Sequence, residues 1–158
     1  SEMCIRDSPG ADMHVQRGRV SGVLDECRRA GLDPAQIPVI TRHINDAANA
    51  RSAAREILDT HPELTAIICT TDSMALAVLD EARERGISVP EQLSVTGFDG
   101  IAEARHAGLT TIIQPNKAKG AAAGRVLRGL IDEPDSTPAR RILGTSLSPG
   151  STVTPPHN

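Results

Sequence analysis

Two aspartates, Asp72 and Asp99, each close a short hydrophobic run. Ala66–Cys69 is apolar with two isoleucines, the composition of a buried strand, and Thr70, Thr71 and Asp72 follow it. Leu93–Phe98 is a second such run, followed by Asp99 and Gly100. Two carboxylates on one rim could divide acid and base work, or could accept hydroxyl and amine hydrogen bonds from a bound ligand. The first chemistry lacks its other parts. No nucleophile, base or oxyanion arrangement accompanies them, and Ser73 has no G-x-S-x-G elbow around it. His14, His43, His61, His106 and His157 are scattered without metal-ligand spacing, so neither a metal nor another cofactor is expected. The binding chemistry therefore leads, and the chain is not read as an enzyme. Plainer roles stand beside it: Asp72 as a helix N-cap, and Asp99-Gly100 as a common turn pair.

The elements that would hold these residues can be read from periodicity. Between the two runs, Ala75, Val78, Leu79 and Ala82 recur at helical spacing, and Gly86 and Pro90 stand where a helix stops. Strand, helix and strand make a right-handed βαβ unit, and open parallel sheets bind ligands beyond the carboxyl ends of their strands. Upstream, Val15–Ala30 reads as a helix with a stripe of Val20, Val23, Leu24, Cys27 and Ala30; Ile37–Thr41 reads as a strand, and 42–46 as loop. Asn45 or Asp46 can cap the next helix, Ala47–Thr60, whose inner face is Ala50, Ala53, Ala54, Ile57 and Leu58. Downstream come a short helix and turn over Ile101–Gly108, a strand over Leu109–Ile113, a helix over Lys117–Ile131, a strand over Arg140–Leu147 and an irregular Pro/Ser/Thr-rich tail over 148–158.

Three stretches carry a family resemblance. TAIICTTDSMA, GISVPEQLSVTGFDG and LTTIIQ, in this order and at this spacing, resemble the effector-sensing core of the LacI/GalR transcriptional regulators. The resemblance runs from about Val15 to Pro155 and corresponds to the C-terminal part of a family member. It implies an α/β fold: a parallel-sheet lobe of the type I periplasmic-binding-protein-like fold, incomplete in this chain. On that reading residues 15–114 are the C-terminal lobe, 115–132 a helix that packs on a missing lobe, and 139–147 a strand returning to this one. It also implies a ligand-binding set. Arg19, in Arg19-Val-Ser-Gly22, would point into the effector cleft, where a guanidinium suits hydroxyl or carboxylate oxygens; without the resemblance it reads as one solvated arginine among Arg17, Arg28 and Arg29. Thr71, Asp72, Asp99 and Gln114 would border the same cleft. Asn45 stands near where relatives place a stacking aromatic, and its identity leaves the ligand class open. Asp99 is the foremost candidate, as a strand-end carboxylate able to accept two donors.

The resemblance further implies a regulator whose two lobes close on a small effector, a sugar or related metabolite, and so modulate operator binding. Operator DNA would be held by an N-terminal helix-turn-helix not in this sequence, and homodimer contacts would involve the helix from Ser73 and the segment 101–108. The alternative is a periplasmic sugar-binding protein of an ABC transporter, which shares the fold. Composition agrees with DNA contact lying elsewhere: net charge is −3 and no basic block occurs. Cys4, Cys27 and Cys69 are an odd count at wide spacing, which suggests a reducing, cytoplasmic setting without a disulfide framework. No apolar run reaches membrane-spanning length. Residues 1–8, SEMCIRDS, resemble translated adapter read-through at the end of an assembled reading frame and are expected to take no part in the fold. A lobe lacking its first strand and its facing lobe is expected to fold poorly alone.

Overall fold

The computed structural model describes residues 2–7, 13–42, 47–137 and 140–155. Six strands form one sheet: β1 (Glu2–Asp7), β2 (Val39–Arg42), β3 (Ala66–Cys69), β4 (Ser94–Asp99), β5 (Thr110–Ile113) and β6 (Ser146–Ser148). Their spatial order is β2-β1-β3-β4-β5-β6, parallel throughout except for the antiparallel β5–β6 pair. The helices are α1 (Met13–Arg29), α2 (Ala47–Thr60), α3 (Asp72–Glu84), α4 (Ala102–His106) and α5 (Asn116–Asp132). This is the expected parallel α/β architecture.

Alternation along the strands explains how the sheet is covered. Ile67, Cys69, Val95, Leu109 and Thr111 point to one face and are buried, while Ile68, Thr96, Phe98, Thr110 and Ile112 point to the other and are only partly covered. The covered face meets α2 and α3. Ala50, Ala53, Ala54 and Ile57 from α2 and Met74, Ala75, Val78 and Ala82 from α3 close a core made almost wholly of aliphatic side chains. Alanines at these positions let the two helices approach the sheet and each other closely, so a core without aromatic residues still packs.

On the outer side of these helices Glu81 is 4% exposed and accepts hydrogen bonds from both Arg55 and Arg85; Arg85 also reaches Asp59, and Arg51 reaches Glu84. These guanidinium bonds hold the Glu81 carboxyl below the usual glutamate range. The network therefore adds stability above that range and loses it as the pH falls through the lowered value.

Three expectations are corrected. Residues 2–7 are not outside the fold: β1 lies between β2 and β3 and pairs with both, filling the place of a strand taken to be absent. Thr71, not Asp72, is the N-cap of α3; its Oγ1 accepts from the Met74 amide at 3.4 Å. The last strand is confined to Ser146–Ser148, and Arg140–Thr145 carry no strand pairing. The tail, irregular as expected in its backbone, is nevertheless tied down. Thr152 is buried, its carbonyl accepts from the Val95 amide at 2.8 Å, and its Oγ1 donates to the Val95 carbonyl at 2.7 Å and accepts from the Thr110 amide at 3.0 Å. By contrast α5 leaves Leu127 and Ile131 61% and 69% exposed.

The asymmetry of the sheet predicts a large difference between neighbouring residues. Ile67→Ala opens a cavity in the closed core and should cost ~2–5 kcal/mol in urea unfolding of this chain, while Ile68→Ala, on the open face, should cost less than half as much. Equal costs would mean that the two faces are equally packed.

Candidate functional site

The site is built where β3, β4 and β5 end, and it begins with a broken alternation. Successive strand side chains point to opposite faces, so Phe98 and Asp99 at the end of β4 should diverge. Asp99, however, has φ 120°, in the left-handed region, and Gly100 follows with φ 73°. A Cβ at Gly100 would meet Ile113, so this turn both bends left-handed and passes close over β5. A non-glycine residue held at such a φ marks stored backbone strain of the kind that gathers at binding sites. Its effect is to let Phe98 and Asp99 act on one group.

That group is Arg19. Its guanidinium lies over the Phe98 ring, 4.0 Å from the centroid, within cation–π range. One nitrogen donates to the Thr70 carbonyl at 2.5 Å and the other to Asp99 Oδ1 at 3.2 Å. The pair is partly buried, with 13% of the Arg19 and 27% of the Asp99 side chain exposed. Gln114 joins from the end of β5: Nε2 donates to the same Asp99 oxygen at 2.5 Å, and its backbone amide donates to the Asp99 carbonyl at 3.2 Å. Lys119, in α5, donates to Gln114 Oε1 at 2.5 Å. Burial pushes the Asp99 carboxyl above the usual aspartate range, opposed by the Gln114 hydrogen bond and the Arg19 charge and reinforced by nearby Asp72.

The structure thus brings Arg19, Asp99 and Gln114 into one cluster. A groove lined by Val15, Val23, Phe98 and Gln114 runs past Arg19, and a smaller apolar cavity of about 220 Å³ sinks beside it between Val23, Ile68, Phe98, Ile112 and Leu147. Polar donors and a carboxylate beside aliphatic and aromatic walls suit a small polyhydroxylated ligand, whose hydroxyls need partners and whose C–H faces need apolar contact.

The other candidates fall differently. Asp72 is fully buried, and its carboxylate is spent on the protein: Oδ2 accepts from the Ile101 amide at 2.8 Å and Oδ1 from the Thr111 hydroxyl. It has no face toward the groove, so its place in the ligand set is corrected to that of an internal brace. Gly97 makes room for it, since a Cβ there would lie 2.3 Å from Asp72 Oδ1. Thr71 uses its hydroxyl to cap α3. Asn45, with His43 and Asp46, lies outside the described residues. Sequence reasoning missed Phe98 and Lys119. Phe98 is the sole aromatic and directly precedes Asp99, which is the signal that could have found it. Lys119 carried no signal. Among the described residues no three His, Cys, Asp or Glu side chains come together as a metal site, and no helix is long and apolar enough to cross a membrane.

The profile of the periplasmic binding protein-like domain matches residues 3–153. The chain belongs to this family. It is 45% identical over 145 residues to the HTH-type transcriptional regulator IpsA of Corynebacterium glutamicum, covering 92% of this chain and 40% of that protein. A LacI-family transcriptional regulator structure from Corynebacterium glutamicum superposes with TM-score 0.87 at 38% identity, over 97% of this chain and 49% of that one. The transcriptional regulator CelR in complex with cellobiose superposes with TM-score 0.81 at 27% identity, over 94% of this chain and 46% of that one. The LacI-type resemblance read from the three motifs is thus met by similarity along nearly the whole chain. The chain itself spans well under two thirds of the length of these proteins.

Asp99 also carries a stability prediction. A carboxyl harder to ionise in the fold than in the unfolded chain opposes folding above the ordinary aspartate pKa of about 3.9, and the opposition disappears as the pH falls below it. Asp99→Asn should therefore be more stable than the wild type at pH 7, by much less than Ile67→Ala is destabilised, and the gap should close toward pH 4. A variant less stable at pH 7 would show that the Arg19 pairing outweighs burial.

Proposed function

We propose that this chain is the effector-sensing lobe of a LacI-type DNA-binding transcriptional regulator. It takes a small ligand, a sugar or related metabolite, at the strand ends where Arg19, Asp99 and Gln114 meet. The observation that carries this reading is the convergence on Asp99 Oδ1 of two donors from different elements, at a residue held in a left-handed conformation. Those contacts pre-orient the carboxylate, so a ligand hydroxyl meets an acceptor whose ordering cost is already met by the fold.

The ligand would lie between this lobe and a second one, and closure would shift the balance of lobe arrangements that an N-terminal helix-turn-helix reads at an operator. The regulator CelR, solved with cellobiose, supports a carbohydrate as the effector class. Homodimerisation belongs to the same reading, through the side where a groove of mixed polarity lined by Leu79, Arg83, Ile87, Val89, Ala107 and Ser151 runs beside α3. A cytoplasmic location follows from a DNA-binding role. The periplasmic transport reading is not favoured, because the similar proteins are regulators.

Two tests bear on this. In the native locus, the reading frame upstream of this chain should run through a second lobe preceded by a helix-turn-helix; a signal peptide there in place of a helix-turn-helix would move the protein to the transport class. In the protein expressed from that frame, Asp99→Ala should weaken binding of the cognate sugar by roughly 10- to 100-fold, the loss expected for a hydrogen-bonded charged group, while circular dichroism stays unchanged. Calorimetry with a panel that includes cellobiose reads this, and unaltered affinity would remove Asp99 from the site.

A further inference from the structure

A line of hydrogen bonds runs from the site into the helix that leaves the sheet. Lys119 Nζ donates to Gln114 Oε1, Gln114 Nε2 donates to Asp99 Oδ1, and Arg19 donates to that same oxygen. The line has a direction. An ammonium only donates and an ionised carboxylate only accepts, so the amide between them is held in one orientation, oxygen toward Lys119 and nitrogen toward Asp99. Charge assistance at both ends strengthens the two bonds.

Within this chain the helix at the end of this line makes few other contacts with the sheet, and its outer face is the one expected to pack on a second lobe. Only Ala122 of α5 is buried, and its apolar Leu127 and Ile131 face outward. Its N-cap, Pro115, supplies no side-chain bond. At its start, the Asn116 amide bonds the Gln114 carbonyl at 2.9 Å, and the Lys119 amide bonds the Pro115 carbonyl at 2.8 Å. The Lys119 side chain reaches back across this junction to the end of β5. What happens at Asp99 is therefore placed to alter how α5 departs from the lobe.

We propose that Lys119 and Gln114 are positioning residues that couple the state of Asp99 to the start of α5, so that a ligand engaging Asp99 changes the angle or mobility of this helix. The proposal rests on Asp99 being the effector contact, and it names the route by which that contact is reported. A hydroxyl that donates to Asp99 Oδ1 competes with Gln114 for it. Gln114 then relaxes toward Lys119 or releases it, and the first turn of α5 responds. Lys119 itself need not touch the ligand.

The coupling can be tested in the protein expressed from the native frame without knowing the effector, using the proton as the probe of Asp99. The Asp99 carboxyl carbon and the backbone amides of Asn116–Lys119 are followed by NMR through a pH titration. In the wild type the amides should shift with the same midpoint as Asp99. Lys119→Met should raise the Asp99 midpoint and abolish the matching amide shift, and Lys119→Arg, which keeps a charged donor, should restore both. In a Gln114→Leu background, Lys119→Met should produce no further change. An equal change in that background would make Lys119 a through-space charge and overturn the proposal, as would wild-type amides that ignore the Asp99 midpoint. Cellobiose, added at millimolar concentration, separates the two readings. Coupled titration with no sugar response at Asp99 leaves the relay standing and counts against the effector class. A sugar response at Asp99 with still amides at 116–119 does the reverse.

Discussion

The buried carboxylate of Asp72 is the joint on which the strand ends depend. It lies at the first turn of α3 with no exposed surface, and it accepts from the Ile101 amide beyond β4 and from the Thr111 hydroxyl on β5. A buried carboxylate without such donors would be costly; with them it fixes three elements to one another. Gly97 is required because any side chain there would occupy the same space. Removing the brace would leave two buried donors unsatisfied and free the turn that carries Asp99, so the site inherits its geometry from a residue that never faces it.

From that joint the division of labour between the two sheet faces follows. The face toward α2 and α3 is closed by aliphatic side chains and supplies rigidity. The opposite face is left partly open, with Ile68, Thr96, Phe98 and Ile112 lining a cavity rather than a core. Arg19 bridges the two regions. Phe98 supports the guanidinium from beneath, the Thr70 carbonyl orients one nitrogen, and Asp99 engages the other. A cation held at three points by groups from the ends of two strands, beside a half-buried carboxylate, presents donor and acceptor side by side. Such a pair is suited to the adjacent hydroxyls of a polyol, each of which both gives and takes a hydrogen bond.

Much of this was legible in the sequence, and the exceptions share a cause. The bounds of α2 and β3 are as read, because apolar periodicity and flanking His-Pro and Thr-Thr-Asp signals depend only on near neighbours. Arg19, Asp99 and Gln114 came together as the family motifs imply. The cap of α3 was misassigned because Thr71 and Asp72 are both good capping residues, and the choice was settled by Thr111, far along the chain. The role of Phe98 depends on the φ of Asp99, which breaks strand alternation at the end of β4. The strand at residues 2–7 was passed over because its sequence matched nothing downstream; its pairing with β2 and β3 is made by backbone hydrogen bonds, which ask little of side-chain identity.

The central claim is that the strand-end cluster around Asp99 is a ligand site. Its most direct test is a residue-resolved NMR map of the protein expressed from the native frame, titrated with a panel of mono- and disaccharides. Saturable shifts concentrated at Arg19, Thr71, Phe98, Asp99 and Gln114 are the result predicted here. Shifts scattered over the surface, or concentrated in the groove beside Leu79 and Val89 while the Asp99 cluster stays still, would contradict it.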